Sequence, residues 1–499
     1  MKVNQLKSGV ILSYLSRIIQ IVVGIVYTPL MIRLLGQSEY GLYNIAASII
    51  AYLGILNFGF GSAYMRFFTR INQSDNQEKI ANLNGMFLEI FSFLGLLAVI
   101  AGIIVAINVN LIFGNSLSNS EISTTTILIL VLVVNLAFSF PSVIFTTYIQ
   151  ANEKFVVQYL MVIALQITTP LVNLPLLLLG FGSIGMVVGT TTVNIIINIM
   201  TIVYAIKKLN MRFSFSEFDV KLFKEMSSFS FFVFINMIVD QINNNIDKTI
   251  LGRYQGTTAV AVYSVGSNLN LYYTQLSTSI STVFIPRVHK MEVSNSTNNE
   301  ITNLFIKVGR LQFILLSLVF MGFLFFGKSF VQLWAGIEYG QSYYIAIILM
   351  FSIATPLIQN LGVEIQRAKN LHQFRSWLYV GMAIGNVLIS IPMSQKYGAI
   401  GVTIGTAFSY IIGNGLVMNL YNHYKVGLNM RKFWKEIFKF FPALLIVFIF
   451  GLVIHYYVDL DSIQNLVIFG LLFIFVFFIS MWFLAFNENE KKLLTNPFK

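Results

Sequence analysis

The chain has 499 residues, of which 56% are hydrophobic and only 10% charged, with no cysteine and a mean hydropathy of +0.76. No soluble globular chain needs so much apolar surface, and apolar runs of about 20 residues recur from end to end, so it reads as an all-α polytopic membrane protein. The net charge of +12 would point to an anionic partner such as nucleic acid only if it were clustered, and the missing cysteines exclude disulfides and thiolate metal sites.

Spans are expected near 10–33, 41–65, 83–107, 124–149, 157–179, 183–206 and 229–252, then 258–285, 305–327, 341–364, 376–395, 398–422, 440–458 and 463–486. With the N-terminus inside, 26 of the 32 Lys and Arg fall in segments on that side. That bias fixes fourteen spans with both termini cytoplasmic, and it explains most of the net charge without an anionic ligand or nucleic acid. The first apolar run lacks a small-residue cleavage site and is longer than a signal-peptide core, so an uncleaved first span is expected. No hydrophilic segment is large enough to be a soluble domain.

In span 1, Ser13, Arg17, Gln20, Gly24 and Thr28 form a polar and small seam at helical spacing. Arg17 lies 8–10 residues in, roughly 12–15 Å from the helix start. It either snorkels to the cytoplasmic interface or serves as a cavity-facing cation.

The most informative stretch is span 7, Phe229 to Gly252. Its second half carries Asp240, Gln241, Asn243, Asn244, Asn245, Asp247 and Lys248. A charge at the centre of a membrane helix costs roughly 2.5–3.5 kcal/mol on insertion scales, so such residues are expected to face protein or a wet cavity. Asp240, Asn244, Asp247, Lys248 and Leu251 share one helical face, read as the lining of a water-filled pathway. Asp247 and Lys248, near the outer end, have the alternative of an interfacial ion pair. Span 8 places Ser264, Asn268, Tyr272, Gln275 and Ser279 on one face, either as helix-packing glue or as a sugar-binding wall.

Two tempting signals carry nothing. Gly322 to Ser329 matches the phosphate-loop pattern letter for letter, but it closes span 9 rather than joining a strand to a helix. The histidines, His289, His372, His423 and His455, are scattered without ligand spacing, so no protein metal site is expected.

The chain repeats itself at an offset of 216. Phe181-Gly182-Ser183-Ile184-Gly185 is echoed by Tyr397-Gly398-Ala399-Ile400-Gly401, Leu35-Gly36 by Leu251-Gly252, Gln150 by Gln366, and the amphipathic pair Phe218 and Leu222 by Trp434 and Phe438. Six spans per half make the repeat parallel. The expected architecture is two six-helix bundles around a central cavity, plus two C-terminal helices. Its parts are 1–206, a cytoplasmic linker at 207–228, 229–422, and a tail portion at 423–499 holding the last two spans.

Three stretches carry a family resemblance. Leu34-Leu35-Gly36-Gln37-Ser38-Glu39-Tyr40-Gly41-Leu42-Tyr43 resembles the signature of bacterial polysaccharide-biosynthesis membrane proteins. So do Asp247-Lys248 with Leu251-Gly252 and Tyr263, and Tyr397 to Gly401. These are the Wzx-type flippases of the multidrug/oligosaccharidyl-lipid/polysaccharide exporter superfamily, and the resemblance covers essentially the whole chain. It implies a non-enzymatic transporter of the bacterial plasma membrane that moves undecaprenyl-diphosphate-linked oligosaccharide to the outer leaflet for a capsule, O-antigen or similar glycan. It needs no cofactor beyond Na⁺ or H⁺ as coupling ion, and its partners would be membrane lipids, a polymerase and other glycan-assembly proteins. In that reading Arg17 and then Lys248 meet the diphosphate, Asn244, Asn268 and Gln275 meet sugar, and Gln20 belongs to the same substrate-binding set. Asp240 takes the coupling ion or holds the cavity open, with Asp247 beside it. A cation-coupled multidrug exporter and a lipid II flippase are the rival readings.

Overall fold

Every regular element among the described residues is helical, because backbone in hydrocarbon must satisfy its own N–H and C=O groups. The computed structural model describes residues 4–72, 76–216, 218–294, 296–371 and 373–495, so His372 lies outside it. The chain forms two compact units, Met1–Ala261 and Val262–Lys499.

The first unit holds α1 (Gln5–Leu53), α2 (Phe60–Asn72), α3 (Gln77–Ile107), α4 (Val109–Phe113), α5 (Asn119–Ala151), α6 (Phe155–Leu178), α7 (Gly182–Lys208) and α8 (Val220–Tyr254). The helix α9 (Thr257–Val293) begins in it and continues in the second unit. There follow α10 (Asn298–Trp334), α11 (Gln341–Ile358), α12 (Leu361–Ala368), α13 (Gln373–Tyr410), α14 (Met418–Tyr421), α15 (Met430–Phe438), α16 (Phe441–Tyr457), α17 (Ile463–Leu484) and α18 (Glu488–Thr495).

Eleven helical stretches among the described residues are long and apolar enough to cross a membrane. Two of them, Lys7–Asn72 and Gln373–Val426, each contain two of the expected spans, joined at the non-helical Gly36 (φ 74°) and Gly398 (φ 58°). The remaining expected span is α9, which has the length but is too polar to qualify by hydropathy. The fourteen segments read from the sequence therefore each coincide with helix. Two are less regular than expected. Span 2 breaks after Leu53 into a short 3₁₀ turn, with Phe58 and Gly59 at positive φ, before α2 resumes. Span 10 breaks at Gln359–Asn360, between α11 and α12.

The repeat is visible in the backbone. Gly182 (φ 59°) and Gly398 (φ 58°), 216 positions apart, adopt the same left-handed conformation at the start of matched helical segments. Only glycine takes that conformation without strain. Other matched pairs differ. Gly36 forms a kink while Gly252 lies inside α8, and Phe218 precedes α8 while Trp434 sits on the separate amphipathic helix α15.

Aromatic side chains dominate the cores. In the first unit Phe60, Tyr64, Phe67, Phe87 and Phe91 pack between α2, α3 and α5, with Tyr64 edge-on to Phe87 at 4.9 Å. The Tyr64 hydroxyl donates to Asn84 Oδ1 (2.6 Å), and Asn84 Nδ2 donates to the Arg212 carbonyl (2.9 Å). That chain of bonds ties the non-helical connection before α8 onto α3. In the second unit Phe325 and Phe326 of α10 pack with Phe440, Phe473 and Phe477, so α16 and α17 are fastened to α10.

Candidate functional site

The polar face of α8 changes character along its length. Asp240 and Asn244, one turn apart, are exposed, and Asn244 Nδ2 donates back to the Asp240 carbonyl (2.7 Å). One turn further on, Asp247 is only 1% exposed and Leu251 is fully buried. The expected continuous wet seam is therefore two parts. The first is open. The second is packed into protein, with Asp247 buried rather than solvent-exposed.

What receives the buried part is the second half of α1. Lys248 Nζ donates to Asn44 Oδ1 (3.4 Å), and the Thr249 hydroxyl donates to the Tyr52 oxygen (3.4 Å). Asn44 and Ser48 are buried and their side chains also bond back along α1, to the Tyr40 and Asn44 carbonyls at 2.8 Å each. The Lys248 amine thus has a buried side-chain amide as hydrogen-bond partner, and pairing with protein polar groups is how a membrane interior accommodates a polar side chain. Asn44, Ser48 and Tyr52 were missing from the sequence-derived site. Their signal was present, since they recur every four residues in an otherwise apolar span, the same periodicity that exposed the seam on α8.

Arg17 and Gln20 lie three residues apart on the first half of α1, both exposed within a membrane-spanning helix. Arg17 forms no ion pair among the described residues. Its neighbour Ser16 is buried, and its hydroxyl donates to Gln166 Oε1 (3.3 Å), which fixes this stretch of α1 against α6. The first unit thus carries Arg17, Gln20, Asp240 and Asn244 as uncovered polar groups on membrane-length helices, with Asp247 and Lys248 packed into protein. Asn268 and Gln275 belong to the second unit. Both are part-buried on α9, and Gln275 Oε1 is buried without a donor among the described residues.

The signature stretch after span 1 is architectural. Glu39 Oε2 accepts from the backbone N–H of Ser183 (2.6 Å), placing a carboxylate on the positive N-terminal end of α7. A Cβ on Gly182 would crowd that same carboxylate. Ser38 and Thr257 both donate to Glu121 Oε1, at 2.8 and 2.9 Å. A Cβ at Gly41 would run into the Thr257 carbonyl. The stretch around Glu39, which resembles the family pattern, is therefore in direct contact with the repeat arm around Gly182, although well over a hundred residues separate them. The phosphate-loop look-alike, Gly322 to Ser329, lies wholly inside α10, where no loop exists to cradle a phosphate.

Comparison with known proteins agrees with this architecture. The family model described as "Polysaccharide biosynthesis protein" matches residues 6–292, more than half of the chain. A Shigella flexneri protein whose name assigns it provisionally to O-antigen transport is 20% identical over 398 residues, covering 78% of this chain and 91% of that one. Among solved structures, a lipid II flippase, MurJ, in an inward closed conformation superposes with a TM-score of 0.75 at 21% identity, covering 95% of this chain and 97% of that one. A multidrug MATE transporter of the MOP superfamily, inward-facing, gives 0.60 at 14% identity, with 83% and 99% coverage. A point mutant of the Vibrio cholerae MATE transporter VcmN gives 0.58 at 14%, with 85% and 98% coverage. The fold is the one these membrane transporters share, and the chain belongs to the polysaccharide biosynthesis protein family.

Proposed function

We propose that this protein moves an undecaprenyl-diphosphate-linked oligosaccharide from the cytoplasmic to the outer leaflet of a bacterial plasma membrane, by alternating access, for a capsule, O-antigen or similar surface glycan. The observation that carries the reading is a set of exposed polar groups in the first unit, Arg17 and Gln20 on α1 and the face of α8 that holds Asp240 and Asn244, all on helices of membrane-spanning length. A guanidinium matches a phosphate in charge and geometry, and amides match sugar hydroxyls, so these groups suit a glycosylated diphosphate head while the lipid tail stays in hydrocarbon. Family membership and a relative named for O-antigen transport support the substrate class. Lys248 keeps a second positive charge near this face, and Asp240 is the candidate for a coupling proton or Na⁺. The Lys and Arg distribution supports both termini lying in the cytoplasm.

The test is deletion of the gene followed by mass spectrometry of extracted lipid-linked sugars, with surface glycan assayed in parallel. Accumulated lipid-linked repeat units with lost surface polymer would bear the reading out and identify the glycan. Unchanged lipid intermediates together with altered sensitivity to cationic dyes would overturn it in favour of a multidrug exporter. The likeness to a lipid II flippase gives a second reading, distinguished by arrested peptidoglycan synthesis and loss of viability on deletion.

A further inference from the structure

The amphipathic helix α15 joins the last two membrane helices to the rest of the second unit, and its two faces differ sharply. Met430, Phe433 and Ile437 are buried. Arg431, Lys435 and Lys439, at i, i+4 and i+8, line the opposite face with Lys432 beside them, and all four are exposed. Phe438 and Phe441 are both 64% exposed at the end of this stripe. The helix has one carboxylate, Glu436, and it is already engaged by Arg310 and Lys439. Lys432 meets only a neutral amide, Asn303 Oδ1 (2.8 Å). Arg431, Lys432 and Lys435 therefore have no acidic partner among the described residues.

The buried side of the same helix is wired into span 12. Trp434 Nε1 donates to Asn419 Oδ1 (2.8 Å), which also accepts from Gln359 Nε2 (3.0 Å) at the end of α11. Asn419 Nδ2 donates to the Asn414 and Gly415 carbonyls, at 3.0 and 2.9 Å. Both carbonyls belong to a π-helical segment, Ile411–Val417, and a second such segment, Asn422–Val426, follows. Asn419 thus uses both of its donors and both of its acceptor positions. π-helical turns are rare, and they occur disproportionately where a helix does functional work.

We propose that α15 is a docking surface for anionic phospholipid headgroups, and that the Trp434–Asn419 bond transmits this contact to the π-helical part of span 12. Charge complementarity argues for that occupant. A stripe of uncompensated cations bordered by exposed phenylalanines fits a leaflet in which phosphates lie above acyl chains. The location on the cytoplasmic leaflet rests on the topology given under Proposed function, but the binding itself does not depend on it.

The full chain would be placed in nanodiscs of phosphatidylcholine mixed with phosphatidylglycerol, and the lipids it retains after release counted by native mass spectrometry. Phosphatidylglycerol should be retained several-fold over its share of the mixture, and high salt should erase the preference by screening. The variant R431Q/K432Q/K435Q/K439Q should bring phosphatidylglycerol retention back to about its share of the mixture, and the charge-preserving R431K/K432R/K435R/K439R should keep the several-fold preference. A preference that survives both high salt and the glutamine variant would overturn the docking surface, and the salt arm needs no variant to fold. Hydrogen exchange over 411–426 tests the relay. Phosphatidylglycerol should slow it in the parent chain but not in Trp434→Phe, which keeps the ring and loses only the N–H. Equal slowing in both would overturn the transmission. Neither readout uses flipping, so failure of the flippase reading would leave this result standing or falling by itself.

Discussion

At the scale of single residues, Lys248 separates a functional cation from a packing one. Its amine donates to Asn44 at 3.4 Å next to the buried Asp247. Replacing both members of a buried charge pair by neutral groups of similar volume is often neutral or stabilising, whereas removing one strands the other. Lys248→Met should therefore be read in an Asp247→Asn background, where the melting temperature should stay unchanged or rise slightly while export of surface glycan falls at least about tenfold, a loss of roughly 1.4 kcal/mol in transition-state stabilisation. Normal export in a well-expressed Lys248→Met chain would make Lys248 a structural residue. Gly41 makes the opposite kind of claim. A methyl group there meets the Thr257 carbonyl, which is backbone and cannot rotate away. Gly41→Ala should destabilise the chain by about 1–3 kcal/mol, the usual range for overpacking, and thermal unfolding in detergent would measure it. Two variants then distinguish chemistry from architecture within one contact region, because α1 supplies both Gly41 and Asn44.

At the scale of elements, the second unit contains an ionic clasp of unusual completeness. Arg310, 3% exposed on α10, donates from Nε and Nη2 to the two carboxylate oxygens of Glu490, at 2.6 and 2.7 Å. Its Nη1 reaches the Glu436 carbonyl and carboxylate, at 2.9 and 3.4 Å, and Nη2 also reaches the Ala485 carbonyl at 2.9 Å. All five guanidinium hydrogens are engaged, and the group lies 4.4 Å from the Phe440 ring centroid. One side chain thereby fastens α10 to α15 and to the α18 region. Glu490→Ala strands a buried guanidinium half-paired, and such breaks cost about 3–5 kcal/mol. The expected outcome is faster hydrogen exchange in α16 and α17 and a lower melting temperature, while the first unit's exchange is unchanged. Nothing in the sequence marks Arg310 among the other cations near it in the chain, because its partners come from distant stretches. The helices themselves were legible, since apolar length and turn glycines are local properties. The polar seam was legible as a periodicity, yet its division into an open part at Asp240 and a buried part at Asp247 depends on α1 packing against it. Asn44 shows the middle case: its spacing was readable, and only the contact with Lys248 gives it meaning.

At the scale of the whole molecule, the charge distribution and the helices make one topological claim that can be checked directly. The chain has no cysteine, so every introduced thiol is a unique probe without any background to remove. Glu153, Lys208 and Ser294 are exposed at the ends of α5, α7 and α9, and cysteines there should react only with a reagent that enters the cytoplasm. Ser120, Gln255, Ile337 and Ser462 are exposed at the other expected side, and cysteines there should react with an impermeant maleimide in intact cells. The informative pair is Gln255 and Ser294, which bracket α9. That helix is too polar to be identified as membrane-spanning by hydropathy, because Ser264, Asn268, Tyr272, Gln275 and Ser279 dilute it. Polar content of this kind is tolerated in a crossing helix only when protein or water, not lipid, meets it. Labelling on opposite sides makes α9 a crossing helix whose polar face is shielded from lipid, and keeps both six-span halves oriented alike. Labelling on the same side would remove the crossing, reverse every later segment relative to the first half, and dissolve the parallel repeat on which the proposed alternating access rests.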